Sequence, residues 1–371
     1  MKAAEKKSRS LRTRLTDEFG VRYPFVCAGM AFAGTPALAA AVANAGGIGM
    51  LGTGPEQPPG VLNLIRATQA LTDRPFGVNF IVDQTAFGPM TTDAHIAACV
   101  EADVKLVTFH WNPPLSQWVD SLHQAGAKVW FQSGLVDQAL EAIYAGVDGI
   151  IAQGTEAGGH VRAATRTVET LENIRAAIPS SMLVLAAGGI ADGRAAAEAL
   201  AHGADGVWVG TRLVASFEAN AHDEYKRRIM AAPGGATAHT TMFGPEWPGQ
   251  RVQVLRNRVV KEWARREDEI PNPPPPPALI GHTTLMPNSV PGGIPYDMPK
   301  FSAMVPTPET SGDFEEMCMP AGEGVRVIKR VQPAAEIVVG MMEDARAALE
   351  ERFAAERPRS PRQPADLRWP R

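Results

Sequence analysis

Short apolar runs alternate with Ala-rich helical stretches from Pro24 to about Arg228. Eight runs follow this plan, each followed by a turn: PFVCAG, GIGML, PFGVNFIV, VKLVTF, AKVWFQ, GIIAQG, MLVLAAGG and GVWVG. Because apolar and polar residues do not alternate within them, they predict strands buried on both faces, as in a parallel sheet. Eight β/α units in so short a stretch favour a closed (β/α)₈ TIM-type barrel in the α/β class. A doubly wound open sheet is the alternative, but CAGMAFAG after the first strand lacks its Gly-x-Gly-x-x-Gly turn.

The flanking regions do not follow this repeat. Residues 1–23 are expected to be a solvated N-terminal segment and residues 24–230 the barrel. Residues 231–320 predict an irregular Pro-rich excursion that acts as a lid, and its run PNPPPPP predicts an extended spacer. Residues 321–355 predict a strand and a helix that dock back on the barrel, and residues 356–371 a disordered tail.

The composition narrows the class of function. A formal net charge of -4 gives no basic surface for nucleic acid, and no apolar tract is long enough to cross a membrane. Three scattered cysteines and the lack of clustered carboxylates or paired histidines predict neither a disulfide framework nor a metal site. We therefore expect a cytoplasmic protein with a small-molecule substrate, and a homodimer remains open.

Glycine-rich turns follow the last two predicted strands. AAGGIADG contains Gly188 and Gly189, and VGTR contains Gly210 and Thr211. Backbone N–H groups of such turns bind phosphate, and TIM barrels often place a phosphate site after strands seven and eight. The two turns together predict a phosphate-binding site.

Amide side chains end three other predicted strands, at Asn79, Gln132 and Gln153. Neutral amides both donate and accept hydrogen bonds, as the edge of a flat heteroaromatic ring requires. A phosphate site and an amide-lined slot together suggest flavin mononucleotide, FMN.

A histidine lies at the end of the sixth predicted strand. The segment AQGTEAGGH delivers His160 after Gly158 and Gly159, which would let the backbone approach a ligand closely. Histidine is the usual general base, so His160 is the expected catalytic residue.

These segments, together with the opening PFVCAGMAFAGTPALAAAVANAGGIGMLGTG, resemble the FMN-dependent nitronate monooxygenase family, also called 2-nitropropane dioxygenases. The resemblance resumes at MPAGEGVRVIKRVQPAAEIV and covers little of residues 230–319. It implies that His160 is the catalytic base and that His110, in VTFHWNPP, contacts the substrate, although Trp111 onward departs from the common pattern. It also implies FMN contacts at Ala28, Gly29, Met30, Asn79, Gln132, Gln153, Gly158, Gly159, Gly188, Gly189, Gly210 and Thr211.

The expected activity is therefore the oxidation of alkyl nitronates or nitroalkanes, with O₂ reoxidising the flavin. An NAD(P)H-dependent reductase of an enoyl-thioester or quinone substrate on the same scaffold is the alternative enzyme. A flavin-binding protein without turnover is a third possibility, but binding alone needs no base such as His160.

Overall fold

Eight parallel strands form the central sheet of the computed structural model, which describes residues 11–86, 88–270 and 278–356. The barrel strands are β1 (Phe25–Cys27), β2 (Gly49–Gly52), β3 (Phe76–Ile81), β6 (Leu106–His110), β7 (Lys128–Ser133), β8 (Gly149–Gln153), β10 (Leu183–Ala187) and β11 (Gly206–Val209). Short strands β4 (Gln84–Thr85), β5 (Gly88–Pro89) and β9 (Gly159–His160) lie outside the barrel. The order is β1-β11-β10-β8-β7-β6-β3-β2, and a parallel bridge between Val26 and Ile48 joins its two ends. The predicted barrel is confirmed.

Helices separate the strands and cover the outside of the barrel. They are α2 (Pro36–Asn44), α3 (Pro58–Gln69), α4 (Asp93–Glu101), α5 (Ser116–Gln124), α6 (Val136–Tyr144), α7 (Thr167–Ala177), α8 (Gly193–Ala201) and the short α9 (Thr211–Val214). The C-terminal helix α12 (Ala334–Glu356) packs against α8 and α2, where an eighth barrel helix belongs. The chain therefore leaves the barrel after β11 and returns to complete its outer layer.

The sequence predicts a solvated N-terminal segment, but part of this segment folds and packs against the barrel. Helix α1 (Arg14–Phe19) begins with a capping box in which Thr13 and Thr16 exchange hydrogen bonds. Leu11 and Leu15 are buried, and the Leu15 side chain lies beside Gly206 at the start of β11. This segment therefore covers the end of the barrel where the strands begin, because its few apolar residues share one side.

Residues 231–320 are also more regular than their sequence suggests. After α10 (Asp223–Ala231) come β12 (Thr237–Thr240), β13 (Val252–Leu255), α11 (Arg258–Trp263), β14 (Leu279–Leu285), β15 (Ile294–Pro299) and β16 (Ser311–Gly312). Strands β14, β15 and β16 form a sheet over a cluster of Ile280, Leu285, Met298, Met304 and Met317. Strand β14 does not alternate strictly between buried and exposed residues and β15 contains two prolines, so pairing through their backbones fixes these strands instead.

The C-terminal return differs as well. Instead of a strand, residues 321–333 contain a 3₁₀ helix (Glu323–Val327) and a single bridge between Gln332 and Ser216. The predicted polyproline spacer and disordered tail lie outside the described residues. Among the described helices, none combines the length and apolar character needed to span a membrane.

Candidate active site

One cavity opens at the carboxyl ends of the barrel strands. It measures about 260 Å³. All fourteen residues singled out from the sequence line it, from Ala28 after β1 to Thr211 in α9. The barrel brings these residues together because parallel strands end at the same rim.

The two Gly-rich turns meet at one side of the cavity. Gly188 and Gly189 take the left-handed φ values of +123° and +67°. Within the described chain, no hydrogen-bond acceptor faces the backbone N–H of Gly188, Gly189 or Gly210. Unpartnered N–H groups lining a cavity suit a phosphate, as the sequence predicts.

The three amides also hold other parts of the site. Gln132 shares a hydrogen bond of 3.1 Å between its Nε2 and His110 Nδ1, and Gln153 Nε2 donates to the His160 carbonyl at 3.1 Å. Asn79 accepts from the Thr108 hydroxyl at 2.8 Å. Gln132 and Gln153 therefore also orient the two histidines, a role that sequence reasoning missed.

The turn that carries His160 is fixed on two sides. The Glu156 carboxylate accepts from the Thr167 N–H at 2.7 Å, at the N-terminus of α7, where a negative charge is favoured. His160 and Gly159 pair with Val252 and Gln253 of β13. The segment that carries His160 is therefore anchored partly by the excursion and not by the barrel alone.

Glycine is needed at position 158 for a reason other than the expected close approach to a ligand. A Cβ there would lie 2.5 Å from the Gly322 nitrogen and 2.6 Å from the Ala321 carbonyl carbon. The returning C-terminal segment packs against this backbone and leaves no room for a side chain. Gly158 still lines the cavity, so its predicted cofactor contact stays a prediction.

Both histidines are neutral at pH 7. Burial, and after it the neighbouring His110, lower the pKa of His160 to about 3. Burial and the positive Arg162 lower the pKa of His110 to about 4, while hydrogen bonds with Gln132 and His160 partly oppose this. A neutral imidazole is the form that accepts a proton.

Two tryptophans pack around His160, and sequence reasoning assigned neither to the site. The imidazole lies 4.3 Å from the Trp247 ring and 5.8 Å from the Trp111 ring, between centroids. Trp111 has φ +86°, which is strained for a residue other than glycine, and Arg162 stacks on its ring at 3.9 Å. The break in the family pattern at Trp111 is the only sequence signal for this cluster, since Trp247 lies in the excursion.

The site offers no metal centre. In the described ranges, no three His, Cys, Asp or Glu side chains come together as metal ligands. The three cysteines are free and buried, and burial raises the pKa of Cys27 to about 12. The cavity thus combines neutral histidines, amides and free backbone N–H groups.

Comparisons with known proteins agree with this geometry. The family model for nitronate monooxygenases matches residues 12–344. The chain is 29% identical to a nitronate monooxygenase of Paraburkholderia phytofirmans, over 90% of this chain and 94% of the relative. It is 33% identical to a (3aS,4S,5R,7aS)-5-hydroxy-7a-methyl-1-oxo-octahydro-1H-indene-4-carboxyl-CoA dehydrogenase of Mycobacterium tuberculosis, over 68% of each chain. The structure of a nitroalkane oxidase from Streptomyces ansochromogenes superposes with a TM-score of 0.72 at 26% identity, over 92% of this chain and 99% of the other.

Proposed function

This chain belongs to the nitronate monooxygenase family and is an oxidoreductase, and we propose that it oxidises alkyl nitronates or nitroalkanes with FMN and O₂. One observation carries the proposal. The partly exposed ring of His160 lines the cavity beside His110, on whose wall the Gly-rich turns also lie.

The residues present fit FMN. The N–H groups of Gly188, Gly189 and Gly210 would hold its phosphate, and the free Oε1 atoms of Gln132 and Gln153 would accept hydrogen bonds from its ring. Bound FMN would supply the redox chemistry, taking electrons from the substrate and passing them to O₂.

The histidines would handle the proton and the substrate. His160 would accept the α-proton of a nitroalkane, since its ring is neutral at pH 7 and lines the cavity. A nitronate has already lost this proton, so His160 would then act only as a hydrogen-bonding partner. His110, held by Gln132, would orient the nitro group.

The second candidate is reduction or dehydrogenation of a thioester, with NAD(P)H as the electron donor in the reductive direction. The relative of Mycobacterium tuberculosis that acts on a CoA ester favours it. Absorbance spectra of the purified holoenzyme under anaerobic conditions separate the two. Bleaching of the flavin by a nitronate supports the first proposal, and bleaching only by NAD(P)H supports the second and contradicts the first.

A further inference from the structure

Trp247 covers the base from a distant part of the chain. Its ring plane lies at 54° to the His160 imidazole, and it also contacts the Trp111 ring at 4.8 Å between centroids. Trp247 is only 7% exposed. In the described chain, His160 Nε2 has neither a hydrogen-bond partner nor contact with solvent. Both indoles therefore pack against a ring that lines the cavity but buries its Nε2.

Hydrogen bonds on both sides hold Trp247 in place. Its Nε1 donates to Asp83 at 2.7 Å, on the loop after β3. The preceding residue, Glu246, is buried and accepts from the Tyr296 and Ser302 hydroxyls and from the Ala303 N–H. These contacts tie the loop to both the barrel and the β14–β16 sheet, so the indole is not free to leave by loop motion alone.

We propose that Trp247 is a positioning residue that excludes water from Nε2 of His160 and so favours the neutral imidazole. Water stabilises imidazolium, so removing water from the ring favours the neutral form. The proposal rests on the role of His160 proposed above. It assigns a function to a residue of the excursion, outside the segments that carry the family resemblance.

Several titratable and charged groups lie around His160 and its packing partners. Those that face it or its packing partners are His110, Arg162, Asp83, Glu246 and Arg251. Burial is nonetheless the largest cause of its low pKa, and His110 is second. Removing the Trp247 ring should therefore change the titration midpoint of His160 more than the surrounding charges do.

The test is a histidine NMR titration of the ¹⁵N-labelled holoenzyme, with the His160 signal identified by its absence in His160→Asn. We expect Trp247→Ala to raise the titration midpoint of His160 by at least about one pH unit, toward the ordinary value near 6.5. Trp247→Phe, which keeps a ring but loses the bond to Asp83, should lie between Trp247→Ala and wild type. The matched control is Trp263→Ala, since Trp263 packs on Phe301 in the same excursion and does not line the cavity. It should leave the midpoint unchanged.

The order wild type, Trp247→Phe, Trp247→Ala in rising midpoint supports the proposal. Equal midpoints in wild type and either folded Trp247 variant overturn it, as does an equal rise in Trp263→Ala. The titration requires no turnover, so it stands even if nitronates fail to bleach the flavin. In that case the proposed function falls and the role of Trp247 is still decided.

Discussion

Replacing His160 with Asn removes the proposed proton acceptor and leaves a polar side chain of similar size. The lowered pKa of His160 leaves the wild-type ring neutral at pH 7, the form that can accept a proton. Asn has no such base, so proton removal would fall to water or to a less well placed group.

The size of the loss depends on whether the substrate still carries its proton. A positioned general base contributes about 10²–10⁴ in rate, or about 3–5 kcal/mol of barrier. We expect His160→Asn to lose this factor in kcat/KM with neutral nitroethane. With preformed ethyl nitronate only a hydrogen bond is lost, worth about 0.5–1.5 kcal/mol, so the loss should be about 2–10-fold.

Oxygen consumption with each substrate, measured on enzyme of equal flavin content, gives the two ratios. A much larger loss on nitroethane than on ethyl nitronate identifies His160 as the base. Equal losses on both substrates would refute the reasoning, because they would mean that His160 acts on binding alone. Unchanged activity on nitroethane would remove it from the mechanism.

The remaining predictions concern substrate binding, the cofactor and acid stability. His110→Asn should raise KM about 2–10-fold and change kcat less, since it loses one hydrogen bond to substrate; a collapse of kcat with normal KM would contradict this. Gly189→Val should fold without flavin, because φ +67° is unfavourable for a β-branched residue and the turn must move its N–H groups. The control Gly203→Val, which also has a positive φ of +91° but lies far from the cavity, should keep its yellow colour. Full flavin in Gly189→Val would disprove the phosphate site. The pKa values of about 3 for His160 and about 4 for His110 lie below the ordinary 6.5, so the unfolded chain binds more protons in this window and the free energy of unfolding should fall as pH drops from 6.5 toward 4. Urea unfolding at pH 5 and 7 should show a smaller drop in His110→Asn/His160→Asn, by up to about 1.4 kcal/mol per pH unit and residue, and an unchanged drop would count against the buried neutral pair.

The sequence by itself determined the barrel and the position of the cavity. Unbroken apolar runs such as GIIAQG can be buried only between helices on both faces, and eight of them close into a ring. Once the strands are parallel, their carboxyl ends share one rim, so Asn79, Gln132 and His160 had to meet there. This argument needs only local patterns and their order along the chain.

Tertiary structure alone decided how His160 is held and what surrounds it. Its pairing with Val252 and its contact with Trp247 join residues that are far apart in sequence, and no local pattern records which strand will pair with which. The same holds for Gly158, whose lack of a side chain makes room for the returning backbone at Gly322. Burial by such distant partners sets the protonation state of the histidine, because the desolvation of a ring depends on everything that packs around it.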